Sequence, residues 1–164
     1  IKKILNLHLT LKDYADSLKA LRKTGLIFIP HVIVGLNEGK LDGELEALKM
    51  IHPFNPSALV IIAFMPIHGT IMAQTPPPSQ FDIAKVAATA RLMFPNTPLV
   101  LGCMRPKGAF RHQTDVLALK AGVDAIAFPS EEAINYSREK GWKTYFSSSC
   151  CAQVYLDVVA RTMQ

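Results

Sequence analysis

The chain has 164 residues and carries 18 Lys plus Arg against 13 Asp plus Glu, a formal charge of +5. Apolar residues make up 49% and charged residues 19%, which excludes disorder as the dominant state and gives enough material for one real core. No apolar run reaches the length of a spanning helix, and no basic segment followed by an apolar stretch opens the chain at Ile1.

The first element is a helix. Leu11, Tyr14, Ala15, Leu18 and Leu21 recur at helical spacing, and Gly25 stops the pattern. Leu26-Ile27-Phe28-Ile29 and Val32-Ile33-Val34 then read as one buried strand interrupted by Pro30-His31. Leu41, Leu45, Leu48 and Ile51 mark a second helix. Residues 58–65 (ALVIIAFM) are almost wholly apolar, so both faces of that strand must be covered, as in a parallel sheet. Thr75-Pro76-Pro77-Pro78-Ser79 is a stiff extended connection.

The third helix presents Ile83, Val86, Ala87 and Ala90 on one face. Pro98-Leu99-Val100-Leu101 is a third strand, a fourth helix spans 112–121, and Val123 to Phe128 is a fourth strand. Ser130 caps a further helix with Glu131 and Glu132 at its positive end, and Gly141 stops it. A tail runs from Trp142 to Cys151, and residues 152–164 read as a short terminal helix. Strand starts near 26, 58, 98 and 123 are spaced like β/α units, which gives a small open sheet or half of a β/α barrel. A complete barrel needs about 200 residues or more.

In β/α folds the chemistry sits at the carboxyl ends of the strands. Glycine and polar residues gather there: Gly35-Leu36-Asn37-Glu38-Gly39, Pro66-Ile67-His68-Gly69-Thr70, Gly102 to Gly108, and Pro129-Ser130. No G-x-G-x-x-G, P-loop, H-E-x-x-H or C-x-x-C occurs, which disfavours those nucleotide and zinc sites. The basic residues cluster at Lys19/Arg22/Lys23, Arg105/Lys107/Arg111 and Arg138/Lys140/Lys143 without interleaved aromatics. They support nucleic-acid binding only weakly, and a smaller basic pocket for an anionic substrate fits about as well. His31 reads as a core histidine, His8, His52 and His112 as surface residues, and His68 as a site candidate in a strand-end loop.

The three cysteines, Cys103, Cys150 and Cys151, form no structural disulfide framework and point to a reducing, cytoplasmic setting. Cys103 lies at a strand's carboxyl end, two residues before Arg105. Cys150-Cys151 lie in a tail long enough to fold back over that mouth, and thiolates are the usual ligands of iron–sulfur clusters.

These segments carry a resemblance. His31-Val32-Ile33-Val34-Gly35-Leu36-Asn37-Glu38 resembles the G-x-I-x-G-x-x-E strand of radical S-adenosylmethionine enzymes, with His31 in place of the first glycine. Pro66-Ile67-His68-Gly69-Thr70 resembles the P-I-x-G-T loop of biotin synthases, and Arg91-Leu92-Met93-Phe94-Pro95 their following helix end. Gly102-Cys103-Met104-Arg105 aligns with the strand that holds their cluster-ligating arginine. The order agrees from about residue 8 to residue 130. Ile29 stands where a biotin synthase has cysteine, and Ile62 where it has an asparagine facing its substrate. Pro30-His31, residues 101–108 and the terminal Cys150-Cys151 look more like the two-component, archaeal-type lipoyl synthases.

The resemblance implies an α/β fold that is the later half of a radical-SAM-type β/α (partial TIM) barrel over 1–141, with a Cys-containing tail over 142–164. The cofactors it implies are S-adenosylmethionine and an iron–sulfur cluster. The C-x-x-x-C-x-x-C loop for the radical-generating cluster is expected upstream of Ile1, so the 164 residues alone are expected to be inactive. Ile33 would pack on adenine, Gly35 admit the cofactor and Glu38 fix the loop, while backbone at Met65, Pro66 and Ile67 would meet the adenine edge. Cys103, Cys150 and Cys151 would hold an auxiliary cluster with Arg105 as ligand or charge partner. His68, Lys107 and Arg111 would face substrate, the latter two meeting an acidic carrier domain.

The implied reaction is sulfur insertion into a protein-bound acyl chain. It would be served by a reductant protein and a second radical subunit, with neither nucleic acid nor membrane as partner. The alternatives are another radical reaction on a small molecule, and a non-catalytic β/α binding or scaffold module.

Overall fold

A computed structural model describes residues 4, 6–153 and 156–157. Helix α1 (Leu11–Thr24) begins in a capping box: the Thr10 hydroxyl accepts from the Asp13 amide, and the Asp13 carboxylate accepts from the Thr10 amide at 2.7 Å. Gly25 ends the helix in the left-handed region, as its position in the sequence suggests. The apolar stripe of α1 is nevertheless mostly uncovered, with Leu11 66% exposed and only Leu18 packed on the core. Thr10→Ala removes the hydroxyl arm of the box and leaves the backbone arm, and a loss of about 1 kcal/mol is expected in urea unfolding.

Strand β1 is His31–Val34, helix α2 Glu44–Ile51, strand β2 Leu59–Ala63 and helix α3 Gln80–Met93. Strand β3 is Leu99–Leu101, helix α4 Ala109–Lys120, strand β4 Ala125–Ile126 and helix α5 Glu131–Glu139. The strands lie in the order β1-β2-β3-β4, every pair parallel. Two sequence expectations are corrected here. The first strand begins at His31 rather than Leu26: Leu26 and Ile27 are exposed, and Pro30 has no amide N–H to give to the sheet. The fourth strand has two residues rather than six, since β4 is an edge with a neighbour on one side only. The terminal helix expected over 152–164 lies largely outside the described residues.

Strand alternation gives the sheet two unlike faces. Val32, Val34, Leu59, Ile61, Ala63, Leu99 and Leu101 form the main core with Leu48 and Ile51 of α2, Ile83, Val86, Ala87 and Ala90 of α3, and Ala118 of α4. Neighbouring helices pack side by side over that face. The opposite face carries Val60, Val100, Ile62, Ala125 and Ala127 together with Cys151 of the tail. Consecutive parallel strands with helices on one face and a second apolar face are the layout of part of a β/α barrel.

The amino edge is fastened by Arg91. Its guanidinium donates to the carbonyls of Gly122, Phe94, Pro95 and Thr97 and pairs with Asp124, whose carboxylate also accepts the Leu99 amide at 2.7 Å. That edge is dedicated to stability, and the free loops lie at the other end.

Candidate functional site

The loop after β1 is a compact turn in which the Gly39 amide donates to the Gly35 carbonyl at 2.9 Å and the Lys40 amide to the Asn37 carbonyl at 3.0 Å. Buried Glu44, at the start of α2, accepts the Gly35 amide at 2.8 Å. Gly35 was expected to make room for a cofactor, but a Cβ there would lie 2.7 Å from the Pro78 ring, so Pro78 fills that room. A Cβ on Gly39 would meet the Pro76 carbonyl oxygen at 2.1 Å. The triproline strap is thus seated on both glycines. Glu38 is exposed, with φ 53, at the crest of this turn.

Ile33 is half-buried and pairs in register with Ile62, on the face that α2–α4 leave open. His31 lies on the same face and is exposed, its Nδ1 3.0 Å from the Ile29 carbonyl; it is not the core histidine the sequence suggested. Beyond β2, Met65 and Pro66 are half-buried, and Ile67 and His68 are exposed. The Ile67 carbonyl accepts from the Thr70 amide and hydroxyl. The amide and carbonyl of Met65 enter no hydrogen bond among the described residues. An open peptide edge offers one donor and one acceptor, which suits the edge of a flat nitrogen heterocycle. The residues here fit a nucleoside cofactor.

The cysteines gather at the other half of the mouth. The tail does fold back: Cys151 is buried among Val60 and Val100, and the Cys103 amide N–H points at its sulfur. Cys150 and Cys151 place their Sγ atoms 3.9 Å apart, with Cys150 and Cys103 exposed. A cavity of about 760 Å³ separates β4 from the tail, lined by Cys103, Ala125, Ala127, Phe128, Trp142 and Cys151 among others.

The two neighbouring thiols differ. Amides, first that of Ala152, hold the Cys150 thiol below its usual value, and burial pushes the Cys151 thiol up. At neutral pH Cys150 is therefore expected to react with iodoacetamide well before Cys151, and peptide mapping of a timed alkylation checks the order.

Among the described residues, no three His, Cys, Asp or Glu side chains converge as a metal site. Cys103, Cys150 and Cys151 border one cavity without converging as the auxiliary cluster site expected of them. Arg105 does not fit it either: its side chain has no exposed surface and is paired with buried Asp115 at 2.7 Å. Arg111 is partly buried, with its Nε unpartnered and one Nη2 contact of 3.5 Å to the Arg105 carbonyl. Burial, then the Arg105 charge, holds its guanidinium below the usual value. Lys107 is exposed beside it.

Sequence reasoning missed Asp115, Glu44 and Pro78. Asp115 and Glu44 are acidic residues on helices, and their burial follows only from the packing.

The fold and this mouth define the class: a parallel β/α sheet of barrel type, with its open loops at the carboxyl edge. The chain is similar to the biotin synthase of Methylacidiphilum infernorum, 31% identical over 136 residues, 82% of this chain and 42% of that protein. It is also similar to the biotin synthases of Zymomonas mobilis (29% over 119 residues, 71% of this chain and 35% of that protein) and Methylobacterium nodulans (30% over 121 residues, 73% and 35%). The chain thus spans well under half the length of these relatives. The matches support a biotin synthase-like relationship. No protein-family model matches the chain. No helix among the described residues is long and apolar enough to cross a membrane.

Proposed function

We propose that the intact protein is a radical S-adenosylmethionine enzyme and that these residues form the later part of its barrel. The observation that carries this reading is the similarity to biotin synthases along 136 residues. The two faces of the sheet and the open Met65 edge support it.

S-adenosylmethionine with a reduced iron–sulfur cluster supplies, when bound, hydrogen-atom abstraction from an unactivated carbon. The chain's own contribution is binding and shelter. Ile33 offers an apolar wall to the adenine ring, and the Met65 amide and carbonyl offer its edge a donor and an acceptor. Glu44 and the strap at Pro76–Pro78 hold the loop after β1 in shape, with Glu38 at its crest. His68 stands at the rim on the β2 loop. The tail returns to the inner face through Cys151, which covers Val60 and Val100 there.

Sulfur insertion is the finer reading within this class, and a lipoyl synthase-like substrate, a protein-bound acyl chain, is finer still. Support comes from residues 101–108, from the Cys150-Cys151 pair, and from Lys107 and Arg111 as contacts for an acidic carrier domain. The described arrangement forms no auxiliary cluster site, so no sulfur donor is assigned. A reductant protein and a second radical subunit belong to the same proposal.

A second reading keeps the radical class and takes a small molecule as substrate. The apolar seat of Cys151 on Val60 and Val100 favours it, because that thiol serves as packing. Cys150→Ala in the intact protein separates the two: retained turnover supports the small-molecule reading, and its loss supports sulfur insertion.

The coding sequence ahead of Ile1 tests the class. A C-x-x-x-C-x-x-C loop there supports it, whereas a native start at Ile1, established by intact mass, would leave only a binding or scaffold module.

A further inference from the structure

Arg105 is the largest side chain in the described protein with essentially no exposed surface. A guanidinium owns five N–H groups and no acceptor. All five are in use. Nε donates to Asp115 Oδ1 at 2.7 Å. Nη1 donates to the carbonyls of Gly102 at 2.6 Å and Ala127 at 3.0 Å. Nη2 donates to Asp115 Oδ2 at 3.0 Å and to the Phe128 carbonyl at 3.3 Å. Asp115 is itself fully buried, and its Oδ2 also accepts the Ser130 amide at 2.8 Å. A nitrogen that ligates iron must offer a lone pair, so Arg105 would have to lose a proton that arginine retains in proteins and break one of these bonds.

We infer that Arg105 does not ligate iron and is, with Asp115, the positioning pair of the carboxyl edge, fixing Cys103 and the loop after β4. The pair joins four places. Gly102 follows β3, three residues before Arg105 itself; Ala127 and Phe128 follow β4; Ser130 caps α5; and Asp115 rides on α4. The held carbonyl of Phe128 explains how a bulky non-glycine residue keeps φ 51 there. Gly102 adds a fixed backbone on the inner face, where a Cβ would meet Ile62 Cγ2 at 2.5 Å. Cys103 is therefore presented from a rigid stem although its thiol is exposed. The inference rests on these contacts and goes beyond the radical reading, since it holds whether or not the protein binds iron.

The experiment uses the intact protein with Arg105→Lys, Asp115→Asn and the double variant. Three readouts apply: thermal unfolding without metal, alkylation of Cys103 by iodoacetamide followed by peptide mapping, and the absorption spectrum with iron content after anaerobic reconstitution. Each single variant is expected to lower Tm by about 10 °C. The double variant is expected to lose no more than the worse single one. Cys103 alkylation should quicken about tenfold in both single variants as its stem loosens. Iron content and spectrum of the folded fraction should stay those of the parent.

A spectrum altered by Arg105→Lys and not by Asp115→Asn would overturn the inference, as would additive losses of Tm or unchanged Cys103 alkylation. Native-state hydrogen exchange of the unaltered protein adds an arm that needs no variant. The Ser130 amide should be protected like the β3 amides, and loop-like exchange there contradicts the pair. An intact protein that takes up no iron defeats the radical reading and leaves the unfolding, alkylation and exchange arms to decide the pair.

Discussion

Gly39→Ala is expected to destabilise the protein by about 3 kcal/mol. Two costs combine. At φ +79 any residue with a Cβ pays about 1 kcal/mol for the left-handed region. The new Cβ would also lie 2.1 Å from the Pro76 carbonyl oxygen. That oxygen is backbone in a run of three prolines, whose fixed φ angles leave the strap little room to retreat. The control is Gly25→Ala. Its φ of +69 is nearly the same, yet nothing lies within 4 Å of the Cβ position, so a loss of about 1 kcal/mol is expected. Urea unfolding of both variants measures the difference. Equal losses would show that the strap is not seated on this turn.

Ile33→Asp tests the other half of the mouth. The residue is half-buried on the open face, so the fold should tolerate the change with a small loss of stability. A cofactor ring stacked there would instead be forced to bury a carboxylate without a partner. Affinity of the intact protein for S-adenosylmethionine is expected to fall about 100-fold, or about 2.7 kcal/mol. Equilibrium dialysis with labelled cofactor reads this directly. Unchanged affinity would remove Ile33 from the site.

Much of the fold is legible in the sequence because its signals are local. Ser130 stands at a helix start, Gly25 and Gly141 at helix ends, and the structure uses all three so. Ile83, Val86, Ala87 and Ala90 are all buried, as their spacing requires. Strand ends are less legible, because pairing depends on a neighbour in space. Leu26 and Ile27 are as apolar as any strand, yet they remain exposed. His31 shows the same limit, since whether it faces core or solvent depends on which face the helices cover. Arg105 is the sharpest case. Its place beside Cys103 suggests a ligand, and the buried carboxylate ten residues later that claims it cannot be recognised before α4 is packed.

The cysteine tail lies between these extremes. Its return to the mouth follows from length and position, and Cys151 does reach the inner face. That the thiol would seat among Val60 and Val100 follows from no local pattern.

On the proposed function, the intact protein cleaves S-adenosylmethionine reductively. The most direct measurement is anaerobic incubation of the intact, iron-reconstituted protein with S-adenosylmethionine and dithionite, with 5′-deoxyadenosine and methionine followed by mass spectrometry. Formation of both, dependent on iron and on reductant and diminished by Ile33→Asp, is the predicted result. An iron-loaded protein that binds the cofactor without cleaving it, or an intact protein that takes up no iron at all, would contradict the account.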